Sequence, residues 1–432
     1  MAGLLTKNEE ILQQWKHLLE TRGNLDSLQA RQHWCEVLRL GFPVQTQEEW
    51  KHIPLNWLLD KQFVSPNPVI LSLNTIIEHA LPINALRLVF IDGRLSSELS
   101  DTEYDPFTVH RIPRVSQESA CSNSIHPEFF LHFTESLVEQ VTFIRLSYGK
   151  KATRPLYLLH VTTGGDSNHC SATDKLYTSG YRCHLQQDSN SEAVVIEHFI
   201  TLSSSSCFTA ARFTANIGNY ASFKHYYLAF EDSRGYHFSH NDLNIGSHTQ
   251  AESHNFLLGS ILTRHQTSIK LHGDSSRLIL NSLMIPIGTE VSENRTWLEH
   301  ANAFCNSKQL HKTIVFDCAK AIFNGMLQVS LKASKTHAQM NNNNLLLGPA
   351  AEVDSRPQLE IYNDDVQCGH GVTMSCINEE QIFYLGTRGI KKSLAQRMMI
   401  EAFSSEVTEF LSDSPLKEAV QKRIADRVRG GA

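Results

Sequence analysis

The sequence predicts a mainly β protein, a parallel β-helix core with helical segments before and after it. Three observations carry this. Between about residues 156 and 385, short alternating runs follow one another, separated by Asn, Asp, Gly and Ser. The runs come as single units with few two-residue hairpin turns, which favours stacked parallel rungs over a sandwich or barrel. Convincing helical periodicity is confined to the two ends of the chain. The expected divisions are a mostly helical domain over 1–150, the β-helix over 151–388 and a helical domain over 389–432.

Ile11, Leu12, Trp15, Leu18 and Leu19 recur at helical spacing, and Gly23 supplies a stop. Trp34, Val37, Leu38 and Leu40 repeat the pattern before Gly41 and Pro43. A third short element over 48–55 ends at Pro54. Residues 86–94 read as a strand entering an Asp-Gly turn, and 127–141 as a further helix. Core strands are expected at 157–161, 193–202, 208–217, 222–230, 268–272 and 277–285. The run Asn341-Asn342-Asn343-Asn344, followed by three leucines, fits stacked rungs with asparagine ladders and aliphatic stacks. Beyond Arg388-Gly389-Ile390, Ser393 and Gln396 have capping-box spacing. Leu394, Met398, Ala402, Phe403, Val407, Phe410 and Leu411 then form an apolar stripe, and Leu416, Val420 and Ile424 continue it after Ser414-Pro415. Such a stripe packs on the chain's own β core or offers a platform to a partner. Met398 beside Met399, both adaptable thioethers, leans toward the partner.

At 432 residues and 41% hydrophobic content the chain can bury a large core. A net charge of −6 argues against a nucleic-acid partner, which needs a basic face. No apolar run reaches the length of a membrane-spanning helix. The first ten residues turn charged before a secretory segment develops, so a cytoplasmic protein with mostly reduced cysteines is expected. The nine cysteines, at 35, 121, 170, 183, 207, 305, 318, 368 and 376, include no C-x-x-C pair, which disfavours a self-contained zinc ribbon or ferredoxin-type cluster. The chain contains no Walker loop, G-x-G-x-x-G, H-E-x-x-H or G-x-S-x-G, so ATP hydrolysis is not expected of it.

Chemistry concentrates in Val366-Gln367-Cys368-Gly369-His370-Gly371-Val372-Thr373. Read as a strand, it puts Cys368 and His370 on one face, their Cα atoms roughly 7 Å apart, close enough to converge on one iron or zinc ion. The other face carries Gly369 and Gly371, bare backbone suited to the close approach of another chain. Two ligands make half a tetrahedral site, so a metal here needs ligands from elsewhere. Glu360 or Asp365 could add oxygen ligands, although acidic turn residues are commonly just solvated. Glu299, His300, Cys305 and His311 form a second group. Their spacing fits no zinc motif, and alternation cannot put all four on one face, so rung packing or interface hydrogen bonding is expected there.

An ordered set of motifs resembles the SufB/SufD family of iron–sulfur cluster assembly scaffolds. It comprises Thr296-Trp297-Leu298-Glu299-His300, the run from Cys305 to Thr313, Phe323-Asn324-Gly325, and Asn342-Asn343-Asn344-Leu345-Leu346-Leu347. Pro357-Gln358-Leu359-Glu360-Ile361, the run from Asp364 to Gly371, Phe383-Tyr384-Leu385 and Arg388-Gly389-Ile390 complete it. Glu49-Trp50-Lys51, Val89-Phe90-Ile91-Asp92-Gly93, the length and the lack of an amino-terminal cysteine cluster match the SufD branch rather than the SufB branch. Ser375 stands where the family often has glycine, which leaves the Cys-Gly-His register intact.

The resemblance implies a right-handed β-helix and a SufB–SufD heterodimer in which each member binds a SufC ATPase through its carboxy-terminal helices. Leu394, Met398, Met399 and Phe403 are then the candidate SufC contacts, and Gly369 and Gly371 the candidate SufB contacts. It also implies an iron–sulfur cluster or iron held transiently at the SufB interface, with His370 the first candidate ligand and Cys368 the second. No cofactor is expected to stay on the isolated chain, which could self-pair along the same sheet edge. Two other readings remain: a β-helix enzyme acting on polysaccharide, and a purely structural partner without a ligand role.

Overall fold

The computed structural model describes residues 2–113, 124–164, 175–203 and 205–430, and Cys121 and Cys170 fall outside these stretches. Strands account for 43% of the structure against 24% for helices, so the protein is mainly β, as expected.

Helices α1 (Ala2–Thr21) and α2 (Leu28–Leu40) end at Gly23 and Gly41, whose φ angles of +71° and +67° suit glycine. A 3₁₀ turn at Glu48–Trp50, α3 (Asn56–Leu59), β1 (Gln62–Val64) and α4 (Leu73–His79) follow. Strand β2 (Leu86–Ile91) turns at Asp92-Gly93 into β3 (Arg94–Ser96), the Asp-Gly turn read from the sequence. A Cβ at Gly93 would lie 2.3 Å from the Gly180 carbonyl oxygen, so no larger residue fits. Then come β4 (Phe107–Pro113) and α5 (Phe129–Leu137). The helix expected over 127–141 stops early because its end joins β5 (Gln140–Leu146), rich in β-branched residues. Trp15 of α1 stacks on Phe133 of α5 at 3.8 Å, and Phe130 stacks on Phe238 at 4.0 Å, an aromatic layer that seals these helices onto the sheet below.

The solenoid continues through β6 (Leu156–Thr162), β7 (Lys175–Gln187), β8 (Glu192–Thr201), β9 (Cys207–Ile217) and β10 (Ser222–Ala229). Next are β11 (Tyr236–Ile245), β12 (Gln250–Leu257), β13 (Leu262–Leu271), β14 (Arg277–Met284) and β15 (Val291–His300). It ends with β16 (Asn306–Val315), β17 (Lys320–Val329), β18 (Thr336–Leu346), β19 (Glu352–Ile361) and β20 (Val366–Ser375). From β7 to β18 each strand pairs in parallel with the strands two before and two after it, so consecutive strands fall in opposite sheets. The result is about seven turns of parallel β-solenoid with two ten-stranded walls, an odd sheet ending in β19 and an even sheet ending in β20. Both walls begin before residue 151: β4 and β5 extend the odd sheet, and β2 and β3 the even one.

In six successive turns, from the β7–β8 corner to the β17–β18 corner, a residue in the left-handed region makes one corner: Asn190, Tyr220, His248, Ser275, Phe304 and Lys335, with φ between 55° and 60°. Each donates its N–H to the carbonyl of the next turn, as Tyr220 does to Ser247 at 2.9 Å and Lys335 to Asp365 at 2.7 Å. These bonds hold the stack in phase although only Asn190 and His248 of the six are residue types enriched in that conformation.

Inward residues of the two walls, among them Phe213, Leu243, Leu298, Phe223, Leu280 and Met340, close into one core. A buried polar file runs beside them: Tyr227, Asn255, Ser282, His311 and Asn342 stack on successive even-sheet rungs. His311 is satisfied by Ser282 at 2.8 Å and Gln309 at 3.1 Å, since a buried polar group without a partner costs about 1–3 kcal/mol. The expected asparagine ladder does not form. Alternation turns Asn342 and Asn344 inward onto His311 and Thr313, while Asn343 faces out and accepts a bond from Thr373 at 3.1 Å.

Three helices close the chain, α6 (Glu379–Thr387), α7 (Lys392–Thr408) and α8 (Ser414–Gly430); α7 and α8 cover the outer face of the even sheet and α6 packs against α7. Ile400 and Val407 of α7, with Leu416, Val420 and Ile424 of α8, pack on Leu228, Phe256, Leu283 and Ile314, each worth up to about 1.5–3 kcal/mol of burial. Arg423 donates to the carbonyls of Phe230, Glu231 and Leu258, and buried Arg427 pairs with Glu290, which pins α8 to the turns. Helix α6 lies inside the stretch read as β, where Asn378 caps it by accepting from the Glu380 N–H at 2.8 Å. The capping box expected at Ser393 is absent: Lys391 is the N-cap of α7 and makes no side-chain cap, so Ser393 sits within the helix.

Candidate functional site

The two ends of the solenoid are built differently. At the start, the walls finish in antiparallel strands, β3 on β2 and β4 on β5. At the other end, β19 and β20 each pair on one side only, leaving two bare parallel edges together. Unpaired backbone N–H and C=O groups of this kind are a template for another chain.

Strand β20 lies on β18 with Cys368 opposite Ala338, His370 opposite Met340 and Val372 opposite Asn342. Ala338, Met340 and Asn342 point into the core, so Cys368, His370, Val372 and Met374 continue the inward face. No further turn covers them. Met374 is 55% exposed and His370 is also open to solvent, whereas Cys368 is half-buried against the core. Burial pushes the Cys368 thiol above its ordinary value, opposed by a backbone hydrogen bond from Ala338. To act as a ligand it must give up that proton to the metal.

The other face of β20 carries Gln367, Gly369, Gly371 and Thr373. A Cβ built at Gly369 would meet nothing within 4 Å, and one at Gly371 only the Asn341 side chain at 3.1 Å. Among the described residues, nothing therefore requires glycine at 369. Neither candidate oxygen ligand is idle: Asp365 pairs with Lys335 at 2.8 Å, and Glu360 accepts from Gln328 at 3.1 Å. Among the described residues, no group of three or more His, Cys, Asp or Glu is arranged to hold a metal. Iron held at His370 and Cys368 would thus draw the rest of its ligands from outside the described residues.

The second group is dispersed by the rungs. Glu299 pairs with Lys270 at 2.8 Å, His300 bonds Ser307 at 2.8 Å, the Cys305 thiol donates to the Gly273 carbonyl at 3.3 Å, and His311 is held in the polar file.

On α7 the stripe read from the sequence splits into two faces. Ile400, Ser404 and Val407 are buried against the sheet, whereas Leu394 and Met398, each 42% exposed, and Ala402 line the outer side. Met399 is half-buried and Phe403 turns toward the sheet. Between α7 and α8 runs a groove of about 670 Å³ lined by Arg397, Met398, Glu401, Ala402, Lys422 and Ala425. Sequence reasoning missed Lys312, a buried cation on the outer face of β16 that contacts α7. The available signal was a lysine at an outward position flanked by Leu310 and Ile314, both directed at the helical layer.

Residues 170–403 match the family described as SUF system FeS cluster assembly, SufBD core domain. Over 432 residues, 100% of each chain, the sequence is 46% identical to the iron–sulfur cluster assembly protein SufD of Escherichia coli. An iron–sulfur cluster assembly SufBD family protein of Synechocystis is 23% identical over 98% of this chain and 96% of its own. SufD of Bacillus subtilis is 28% identical over 39% of this chain and 38% of its own. The core match and the full-length identity together show that this chain belongs to the SufB/SufD family of iron–sulfur cluster assembly proteins, on its SufD side.

Proposed function

We propose that the chain is a non-catalytic scaffold subunit of a cytoplasmic SufB–SufC–SufD complex, with iron and sulfide as its cargo. The observation that carries this is the terminal rung: an inward-facing imidazole and thiol left uncovered beside two bare strand edges, with glycine backbone open on the other face. A SufB chain pairing along β19 and β20 would cover that face and bring the missing ligands. His370 supplies a neutral nitrogen donor suited to iron, and Cys368 a thiolate once its proton is displaced. Leu394 and Met398, with Met399 and Phe403 behind them, form the surface for the SufC ATPase, which would carry the phosphate chemistry that this sequence lacks motifs for. Nucleotide binding by SufC would draw the docking helices together and shift the SufB–SufD contact, opening the His370 site. Family membership is the ground for preferring assembly over polysaccharide chemistry. Without SufB, the same edges could pair two copies of this chain.

The test is co-expression with SufB and SufC, followed by iron and sulfide analysis of wild type against His370→Ala. The variant should assemble with both partners yet carry much less cluster. Unchanged iron and sulfide would remove His370 from the site and leave the chain a structural partner.

A further inference from the structure

Lys312 occupies an unusual position for a lysine. Its side chain is 1% exposed, on the outer face of β16 under α7. Its ammonium donates to the Phe403 carbonyl at 2.8 Å, pairs with Glu406 at 2.9 Å and lies 4.1 Å from the centre of the Phe403 ring. A buried ammonium persists only when paired and hydrogen-bonded, and all three of these contacts come from the C-terminal half of one helix. Ile400 and Val407 of α7 meet the sheet through apolar surface, and apolar faces slide more readily than a directed charge-assisted bond.

The register continues from there to the site. Lys312 stacks on Asn343 of β18, and Asn343 on Thr373 of β20, all on the outer face of the even sheet. Thr373 donates to Asn343 at 3.1 Å and stands three residues after His370. Two strand spacings, about 10 Å, therefore separate the anchor from the terminal rung.

We propose that Lys312 is a positioning residue that fixes α7 to β16, so that force on the outer face of α7 reaches the terminal rungs rather than being lost in helix sliding. This rests on the reading that Leu394 and Met398 dock the SufC ATPase. Lys312→Met keeps the apolar stem and removes the directed bond, and Lys312→Arg keeps a cation able to reach the carbonyl.

In the complete complex, Lys312→Met should retain SufC and its ATP hydrolysis while cluster yield falls about fivefold or more, the scale of a typical coupling free energy. Hydrogen exchange in β18–β20 should respond to ATP in wild type and Lys312→Arg but not in Lys312→Met. Wild-type yield together with an unchanged ATP response in Lys312→Met would overturn the proposal, as would loss of SufC from that variant, which would make Lys312 part of the docking surface. Met398→Asp separates the underlying reading. If SufC still binds that variant, the docking assignment fails whatever Lys312 does.

Discussion

His311 and His370 point into the same solenoid from the same sheet, yet they live in opposite surroundings. His311 is fully enclosed: Ser282 and Gln309 bond its ring, Phe323 lies 4.5 Å away, and burial pushes its pKa down to about 3. His370 lies on the inward face two rungs further along and is open to solvent because no turn of the solenoid follows. Enclosure, not residue type, separates the structural imidazole from the available one. The same holds for the thiols, since Cys305 is buried and bonded whereas Cys368 is only half covered.

Acid offers the most forceful way to break the contrast. Burial holds His198, His300 and His311 at about 3, 4 and 3, whereas in the unfolded chain they return to about 6.5. Below 6.5 the unfolded chain takes up protons that the folded one refuses, so stability is full above that pH and falls toward pH 4. The slope is about 1.4 kcal/mol per pH unit per histidine, roughly 4 for the three together. Urea midpoints at pH 7, 6 and 5 should drop steeply. A flat profile would mean that these imidazoles are not buried neutral.

Next in size is direct deletion. His311→Ala should cost about 2–4 kcal/mol through a cavity and stranded polar partners, while His370→Ala should stay within about 0.5 kcal/mol. Equal losses in thermal melts would erase the distinction between the rungs. The smallest stability effect belongs to Gly369→Ala, whose added methyl enters open space. Its melt should match wild type to within about 0.5 kcal/mol, yet SufB should co-purify less well. Undiminished capture of SufB would show that the glycine face does not meet the partner.

The architecture was legible because strand alternation and turn residues are local signals, and the scarcity of hairpin turns excluded the obvious antiparallel folds. Alternation also put Cys368 and His370 together on one face. That this face belongs to the last rung is not local information; it follows only once the strand order is known. The polar file was illegible for a related reason, since an inward Ser282 or Asn342 has the pattern of an outward one. Helix α6 was hidden by its brevity, and Ser393 has capping-box spacing but falls two positions past the N-cap, inside α7. On α7, periodicity found the apolar residues but could not apportion them between the sheet and the solvent. Lys312 was missed because a lone lysine in a strand has no pattern to announce it.

The left-handed corners make the solenoid countable. A cut from Tyr220 to His248 removes β10 and β11, one strand from each wall, and joins two corners of the same conformation. Length can therefore change by whole turns without a change of phase. However many turns lie beneath it, the last strand presents the same face inward, so the depth of the stack and the chemistry at its mouth can vary independently.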